Sequence, residues 1–215
     1  MAYRPTEKTL ARKAELRNRL LNASLELVST GGFGALTIAA AAKQAAMATG
    51  AVYKHFESKA HLCVEVFRIA TEKEISVVRE ATLGPGTPST RLLHAIEAFA
   101  LRALRNPRLA FALIAEPVDA LVDAQRLRYR HSYADLFEML VLQGIESGEF
   151  SPQTATVSAA ALVGVIAESL VGPLSWPAED KPQLDALELI GAIQAFCLRA
   201  VSAASSNQPL RAAAG

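Results

Sequence analysis

The chain has 215 residues, 51% of them apolar, with 22 basic and 21 acidic side chains and a net charge of +1. That length allows one large domain or a small one beside a medium one, and that net charge alone does not indicate a nucleic-acid partner. The distribution is more telling: residues 1–60 carry nine Lys/Arg and four Asp/Glu, residues 61–215 thirteen and seventeen, a basic end on an acidic body. Cys63 and Cys197 stand far apart with no CxxC pattern or Cys/His cluster, which argues against a disulfide framework and a metal site. No metal and no cofactor are expected. The charged start MAYRPTEKTLARKAELRNRL lacks the apolar centre of a signal peptide. The most apolar run, residues 159–167, is shorter than the ~20 residues of a bilayer span and is followed by Glu168. A cytoplasmic protein with no membrane partner is expected.

Helical spacing dominates and alternating β-branched stretches are absent. Leu20, Ala23, Leu27 and Val28 form one stripe of a helix from about residue 8 to 30, stopped by Gly31-Gly32. Thr37 caps a short helix to about Ala45, and a third spans about Ala48 to His55. Ser58 caps a long helix over residues 59–81, with Leu62, Val66 and Ile69 on one face. LGPGTPS is a loop, and an antiparallel helix follows over residues 89–105. Pro107 and Pro117 each mark a helix start, with a short helix between them and a longer one over residues 119–147. Pro152 opens another that ends near Pro173 and Pro177, and the last runs from Pro182 to about Ala204. The reading is all-α, about nine helices with no sheet. Residues 1–58 form an N-terminal arm and a three-helix unit with a helix-turn-helix; residues 59–206 form a larger helical domain; residues 207–215 form a disordered tail.

Residues 37–59 carry the chemistry. A helix-turn-helix lays its second helix in the major groove while the first crosses the backbone. Residues 39–42 are alanines, which let two short helices pack closely, with Ile38, Ala42, Val52 and Phe56 as the packed face. The Tyr53 hydroxyl and His55 imidazole can donate to phosphate, and Lys54 can reach a phosphate or a guanine edge. Lys59 adds a cation beside free helix-start amides, and Thr37 offers a hydroxyl in the same way.

The run Tyr53-Lys54-His55-Phe56-Glu57-Ser58-Lys59 resembles the Tyr-x-His-Phe-x-Ser-Lys pattern of the tetracycline-repressor (TetR) family, and Gly32-Phe33 and Leu36-Thr37 resemble its lead-in. The close match covers about residues 17–67. Two positions depart from it: Ala46 stands where the family usually has glycine, and Ala48 where a Ser or Thr commonly caps the recognition helix. By the resemblance Thr49, Gly50, Ala51 and Lys54 face the bases. Recognition is then expected to lean on Lys54, on methyl contacts from Thr49 and Ala51, and on DNA shape. Ahead of the motif Arg4, Lys8, Arg12, Lys13, Arg17 and Arg19 are either a solvated helix face or an arm touching the DNA backbone or minor groove.

The resemblance implies a homodimer on a double-stranded operator, paired through the last two helices. The residues support it: Ala161, Gly164, Ala167 and Gly172, with Val165 and Glu168 among them, and then Leu184, Leu187, Gly191 and Ala195, allow close helix approach. It also implies an inducer cavity, for which Phe99, Arg102, Phe111, Glu116, Tyr129, Tyr133 and Phe137 are the candidates. Tyr129 and Tyr133, four apart, share a face. With aromatics at only 6%, Leu, Val, Ile and Ala would supply most of the lining, which suits an apolar or amphiphilic inducer.

No glycine loop after a strand, no GxSxG and no HExxH occurs, so an enzyme is not expected; a catalytic helical protein also leaves the charge asymmetry unexplained. A helical protein using only its dimer face leaves Tyr53 to Lys59 without a purpose. The expected function is a ligand-responsive, sequence-specific transcriptional regulator. Repression relieved by a small-molecule inducer is the leading form, and activation by the same fold is the alternative. In the DNA-bound state the recognition helices stand roughly 34–36 Å apart.

Overall fold

A computed structural model describes residues 6–175 and 185–202. Among them nine helices follow in order: α1 (Glu7–Ala35), α2 (Ile38–Gln44), α3 (Thr49–Val52), α4 (Lys59–Leu83), α5 (Pro88–Arg105), α6 (Pro107–Ile114), α7 (Ala120–Glu146), α8 (Ala155–Leu174) and α9 (Ala186–Val201). The only pairing outside helices there is an isolated bridge between Phe150 and Ser202. The expected tail, Leu184, Arg4, Pro177 and Pro182 lie outside the described residues.

Short polar side chains start most of these helices. Thr37 Oγ1 accepts from the Ala40 amide at 3.0 Å, and Ser58 Oγ accepts from the His61 amide at 3.1 Å. Thr6, Thr87, Asn106, Asp119 and Asp185 cap α1, α5, α6, α7 and α9 in the same way. Each satisfies an amide that the helix itself leaves unpaired. The expected stop at Gly31-Gly32 is a kink. Gly32 takes φ 70°, and the chain makes one further turn to Ala35. A Cβ on Gly32 would stand 1.8 Å from the Arg108 guanidinium, so position 32 needs glycine for its conformation and for space.

Three other expectations change. The third helix holds four residues, not eight. Beyond Val52 the bonds tighten to Lys54 N–H→Ala51 O and His55 N–H→Val52 O, the three-residue spacing of a 3₁₀ turn. Pro117 opens no helix, since Glu116 to Asp119 are irregular and Asp119 supplies the cap. The eighth helix begins at Ala155, with Thr154 rather than Pro152 at its edge, and it holds Pro173 inside its last turn.

Two apolar cores meet along α4. One gathers α1, α2 and α3 around Leu20, Val28, Phe33 and Val52, and it takes in Leu62, Val66 and Phe67 of α4, Ala112 and Leu113 of α6, and Val122 of α7. The other starts at Ile75 and joins α4 to α5, α7, α8 and α9. Phe67 stacks on Phe33 at 6.5 Å and tilts against Tyr129 at 6.0 Å, so three aromatic rings connect α1, α4 and α7.

Candidate nucleic-acid interface and effector cavity

The α2–α3 unit buries Ala41, Ala42, Ala45, Val52 and Phe56, with Ile38 partly covered. Alanine on the inward side of α2 lets α3 lie close, and the polar side chains are left outside. Thr37, Thr49, Gly50, Tyr53, Lys54 and Lys59 are exposed, and Ala51 and His55 are half-buried. A Cβ on Gly50 would meet nothing within 4 Å, so α3 presents a flat, open end. The Thr37 oxygen serves as a cap acceptor and keeps its proton for an outside partner. The turn between the helices holds Ala46 at φ 50°, left-handed backbone that disfavours any residue with a Cβ. Ala48 offers no side-chain cap.

The first turns of α1 run alongside this surface. Lys8, Arg12 and Lys13 line a groove that Lys54 and His55 close from the other side. Burial, followed by the charges of Lys13, Arg17 and Lys54, holds the His55 imidazole below its ordinary pKa. Its Nδ1 is buried with no hydrogen-bond partner among the described residues. Arg17 does not extend into the groove. It pairs with Glu65 at 2.6 Å and lies 5.0 Å from the Phe56 ring centroid, fixing α1 against α4. Burial opposes ionisation of Glu65, but hydrogen bonds from Arg17 and Arg68 hold its carboxyl below the usual range.

A cavity of about 110 Å³ lies in the body between α4, α5, α6, α7 and α8. Of the expected residues Phe99, Arg102, Tyr129, Tyr133 and Phe137 line it. Phe111 and Glu116 do not. Phe111 sits 5.9 Å below the Arg108 guanidinium. Glu116 accepts from the Phe33 and Gly34 amides at 3.1 and 3.3 Å and from Arg108 at 3.1 Å, while Arg108 also donates to Gly31 O at 2.9 Å. These two side chains clasp α6 to the kink of α1. The irregular segment after Ile114 turns Glu116 away from the cavity.

Sequence reasoning missed Thr71, Glu74, Asn106, Arg126 and Arg130, which also line the cavity. Phe67, Thr71, Glu74 and Val78 recur at helical spacing on α4, a pattern that could have marked this face. Arg102 forms a two-pronged pair with Glu74, its Nη2 2.9 Å from Oε1. The Tyr133 ring stands edge-on to Phe99 at 5.6 Å. Burial pushes its phenol above the ordinary value, and Glu74 adds to the rise. Tyr129 donates to Glu72 at 3.2 Å, and burial followed by Glu72 raises its pKa. Arg126 holds the end of α6 by donating to the Ala112, Leu113 and Glu116 carbonyls.

The outer faces of α8 and α9 form a third surface. Ala161, Gly164, Glu168 and Gly172 are exposed on α8, and Leu187 (71%), Gly191 and Ala195 on α9. Val157 (66%) and Phe196 (54%) extend the patch and were not expected. Val165 does not share this face; it is half-buried against the body core. A Cβ at Gly164, Gly172 or Gly191 would meet nothing within 4 Å, so packing inside one chain does not require those glycines. α8 extends well beyond the run read from sequence: its 20 residues include an 18-residue window of mean hydropathy 1.8, enough by length and composition to cross a membrane. One carboxylate, Glu168, does not offset that average. Its inner stripe of Ala159, Leu162, Ile166 and Leu170 packs into the core.

Both cysteines are buried. Burial raises the Cys63 thiol above its ordinary pKa and pushes that of Cys197 to about 11, which suppresses the reactive thiolate.

Residues 20–66 match the family described as bacterial regulatory proteins, tetR family. The transcriptional repressor KstR of Mycolicibacterium smegmatis is 35% identical over 99 residues, 46% of this chain and 48% of that protein. KstR of Mycobacterium tuberculosis is 30% identical over 136 residues, 63% and 60% of the two chains. The matched stretch thus spans roughly half the length of these curated relatives. In fold, the chain is similar to FadR of Bacillus subtilis, solved in complex with stearoyl-CoA, with a TM-score of 0.71, 18% identity, and 86% and 98% of the two chains covered. FadR of Bacillus halodurans gives 0.71 at 16% identity, covering 85% and 94%. The helix-turn-helix and the match over residues 20–66 agree: this chain carries a DNA-binding domain of the TetR family of bacterial regulatory proteins, in a helical layout similar to that of the two FadR structures.

Proposed function

We propose that the protein is a cytoplasmic, homodimeric repressor that reads a DNA operator through Thr37, Thr49, Gly50, Ala51, Tyr53, Lys54, His55 and Lys59 and leaves it when a small molecule fills the cavity of the body. It has no catalytic role. One observation carries the reading: α4, capped by Ser58, begins at the DNA face with Lys59 and, about two to four turns later, forms a cavity wall with Phe67, Thr71 and Glu74. A ligand that shifts this wall shifts the helix on which the recognition unit rests. Phe67 belongs to the core of that unit, and the Arg108–Glu116 clasp gives a second link through α6. The ligand moves the equilibrium only by its differential affinity for the two settings of α4.

The open glycines and exposed apolar side chains of α8 and α9 support pairing of two copies, which sets two recognition helices on successive major grooves. Lys8, Arg12 and Lys13 add phosphate contacts beside the motif. The cavity suits an apolar or amphiphilic inducer, and an acyl thioester such as the stearoyl-CoA bound by the Bacillus subtilis relative is the first to try.

The test is fluorescence anisotropy with DNA from upstream of the protein's own gene against an unrelated duplex of equal length. Binding tighter to the upstream duplex by ~10³ or more, and reversed by stearoyl-CoA, is expected. Equal, strongly salt-dependent binding to both duplexes would reduce the chain to a non-specific phosphate binder.

A further inference from the structure

We infer that the part of the effector lying against Thr71 and Tyr133 is a neutral oxygen function, such as a hydroxyl, ketone or ester carbonyl, and not a carboxylate. This rests on the cavity being the effector site. Thr71 stands on α4 where the two cores meet. It is 5% exposed and lines the cavity, and its hydroxyl has no partner among the described residues. A threonine inside a helix commonly bonds back to the carbonyl one turn earlier, as Ser24 does to Leu20 O at 2.8 Å. Thr71 leaves that bond unmade. Buried polar groups are rarely left so, and rotation about χ1, for which threonine has two accessible wells in a helix, exchanges its hydroxyl and methyl at the cavity wall.

The charges around it disfavour an anion. Arg102 is already neutralised by the two-pronged pair with Glu74. A ligand carboxylate would have to displace Glu74 from this half-exposed pair or lie beside it as a like charge. Arg126 is committed to three carbonyls and to Asp123. Arg130 forms no ion pair among the described residues, but it is exposed, at the solvent edge rather than beside Thr71. The arrangement therefore separates two tasks: a neutral acceptor or donor at the Thr71 wall, and any anionic group outside.

The experiment is calorimetric titration of the full chain at pH 8 with three probes of one chain length: 1-dodecanol, methyl dodecanoate and dodecanoate. The two neutral probes are expected to bind roughly tenfold or more tightly than the anion, about the worth of one good hydrogen bond. Thr71→Val should remove most of that advantage, and Thr71→Ser, which keeps the hydroxyl, should retain it. Glu74→Gln, which leaves Arg102 without its acid, should strengthen dodecanoate binding roughly tenfold. Dodecanoate binding tightest to the unaltered protein, or Thr71→Val leaving the order unchanged, overturns the inference. Equal binding of all three overturns it while leaving the cavity as the effector site. Failure of every probe and of stearoyl-CoA to bind a protein that still holds its operator overturns the effector-site reading as well.

Discussion

The DNA-reading unit and the body treat buried polar groups in opposite ways. In the first, short helices made of alanine close on one another and send the polar side chains outward. In the second, long helices enclose open space and keep three arginines, a glutamate and two tyrosines along its wall. Among the described residues three buried side-chain atoms nonetheless have no partner: His55 Nδ1 below the DNA face, and in the body Thr71 Oγ1 beside the cavity and Arg91 Nε, whose other two nitrogens donate to Thr82 O and Gln143. Buried polar atoms are satisfied almost everywhere in folded proteins, and Arg91 is satisfied through the rest of its guanidinium, whereas His55 Nδ1 and the Thr71 hydroxyl stand beside open space. His55 and Thr71 fall at surfaces proposed to meet a ligand, phosphate for one and effector for the other.

Five substitutions or titrations probe that contrast. The largest effect is expected at the subunit face. Gly164→Glu places a charge where one chain has only open space, so the monomer fold should hold within ~0.5 kcal/mol. Dimers should nonetheless be lost in sedimentation, and operator affinity should fall by ~10³. Phe67→Ala removes a ring of the DNA-reading core that also lines the cavity and should destabilise the fold by about 3–5 kcal/mol in denaturant unfolding. It should also weaken communication between cavity and operator, read as a smaller release by inducer. Lys54→Ala should lower operator affinity by about 1–3 kcal/mol. Unchanged affinity and unchanged site preference in anisotropy would remove Lys54 from the reading.

Ala46→Gly relieves a left-handed φ and should stabilise the protein by about 0.5–1 kcal/mol, net of the added freedom of the unfolded chain. A lower Tm would mean that the turn is not strained. The smallest effect belongs to His55. Its folded pKa is below the unfolded value, so between the two the unfolded chain binds more protons and stability rises with pH. That contribution is complete above pH 6.5 and is lost as pH falls from there through the folded pKa. A bound phosphate reverses the sign by favouring the imidazolium. Operator affinity should therefore rise as pH falls from 8 to 6, and His55→Gln should flatten that slope.

Local signals were legible and distant ones were not. Thr37 and Ser58 announce their helices because a cap needs only its own amide neighbours. Ala46 was singled out by the resemblance, which places glycine there, and its φ of 50° supplies the physical reason. The length of α3 was overread, since its tightened turn after Val52 has no sequence signature apart from Gly50. Pro117 is compatible with a helix start yet does not compel one. The cavity was read in part. Phe99, Tyr129, Tyr133 and Phe137 follow from large side chains on the right helices, whereas Glu116 is captured by amides 82 and 83 residues away. Glu74 and Arg102, 28 apart, meet only after α4 and α5 have packed, and no spacing rule reveals a pair made by tertiary contact.

The shared first half of α4 bears on how operator specificity could be moved between proteins. A transplant cut at residue 58 would take α1 to α3 away from Leu62, Cys63, Val66 and Phe67, which complete their core, and would separate Gly32 from the Arg108–Glu116 clasp. Such a graft should keep its operator contacts and lose its thermal stability. A graft whose junction falls after Ala70, with Ala112, Leu113, Glu116 and Val122 brought along as matching donor positions, carries a complete hydrophobic interior. The unit of inheritance for DNA specificity in this protein is thus a set of contacts spread over three stretches of chain.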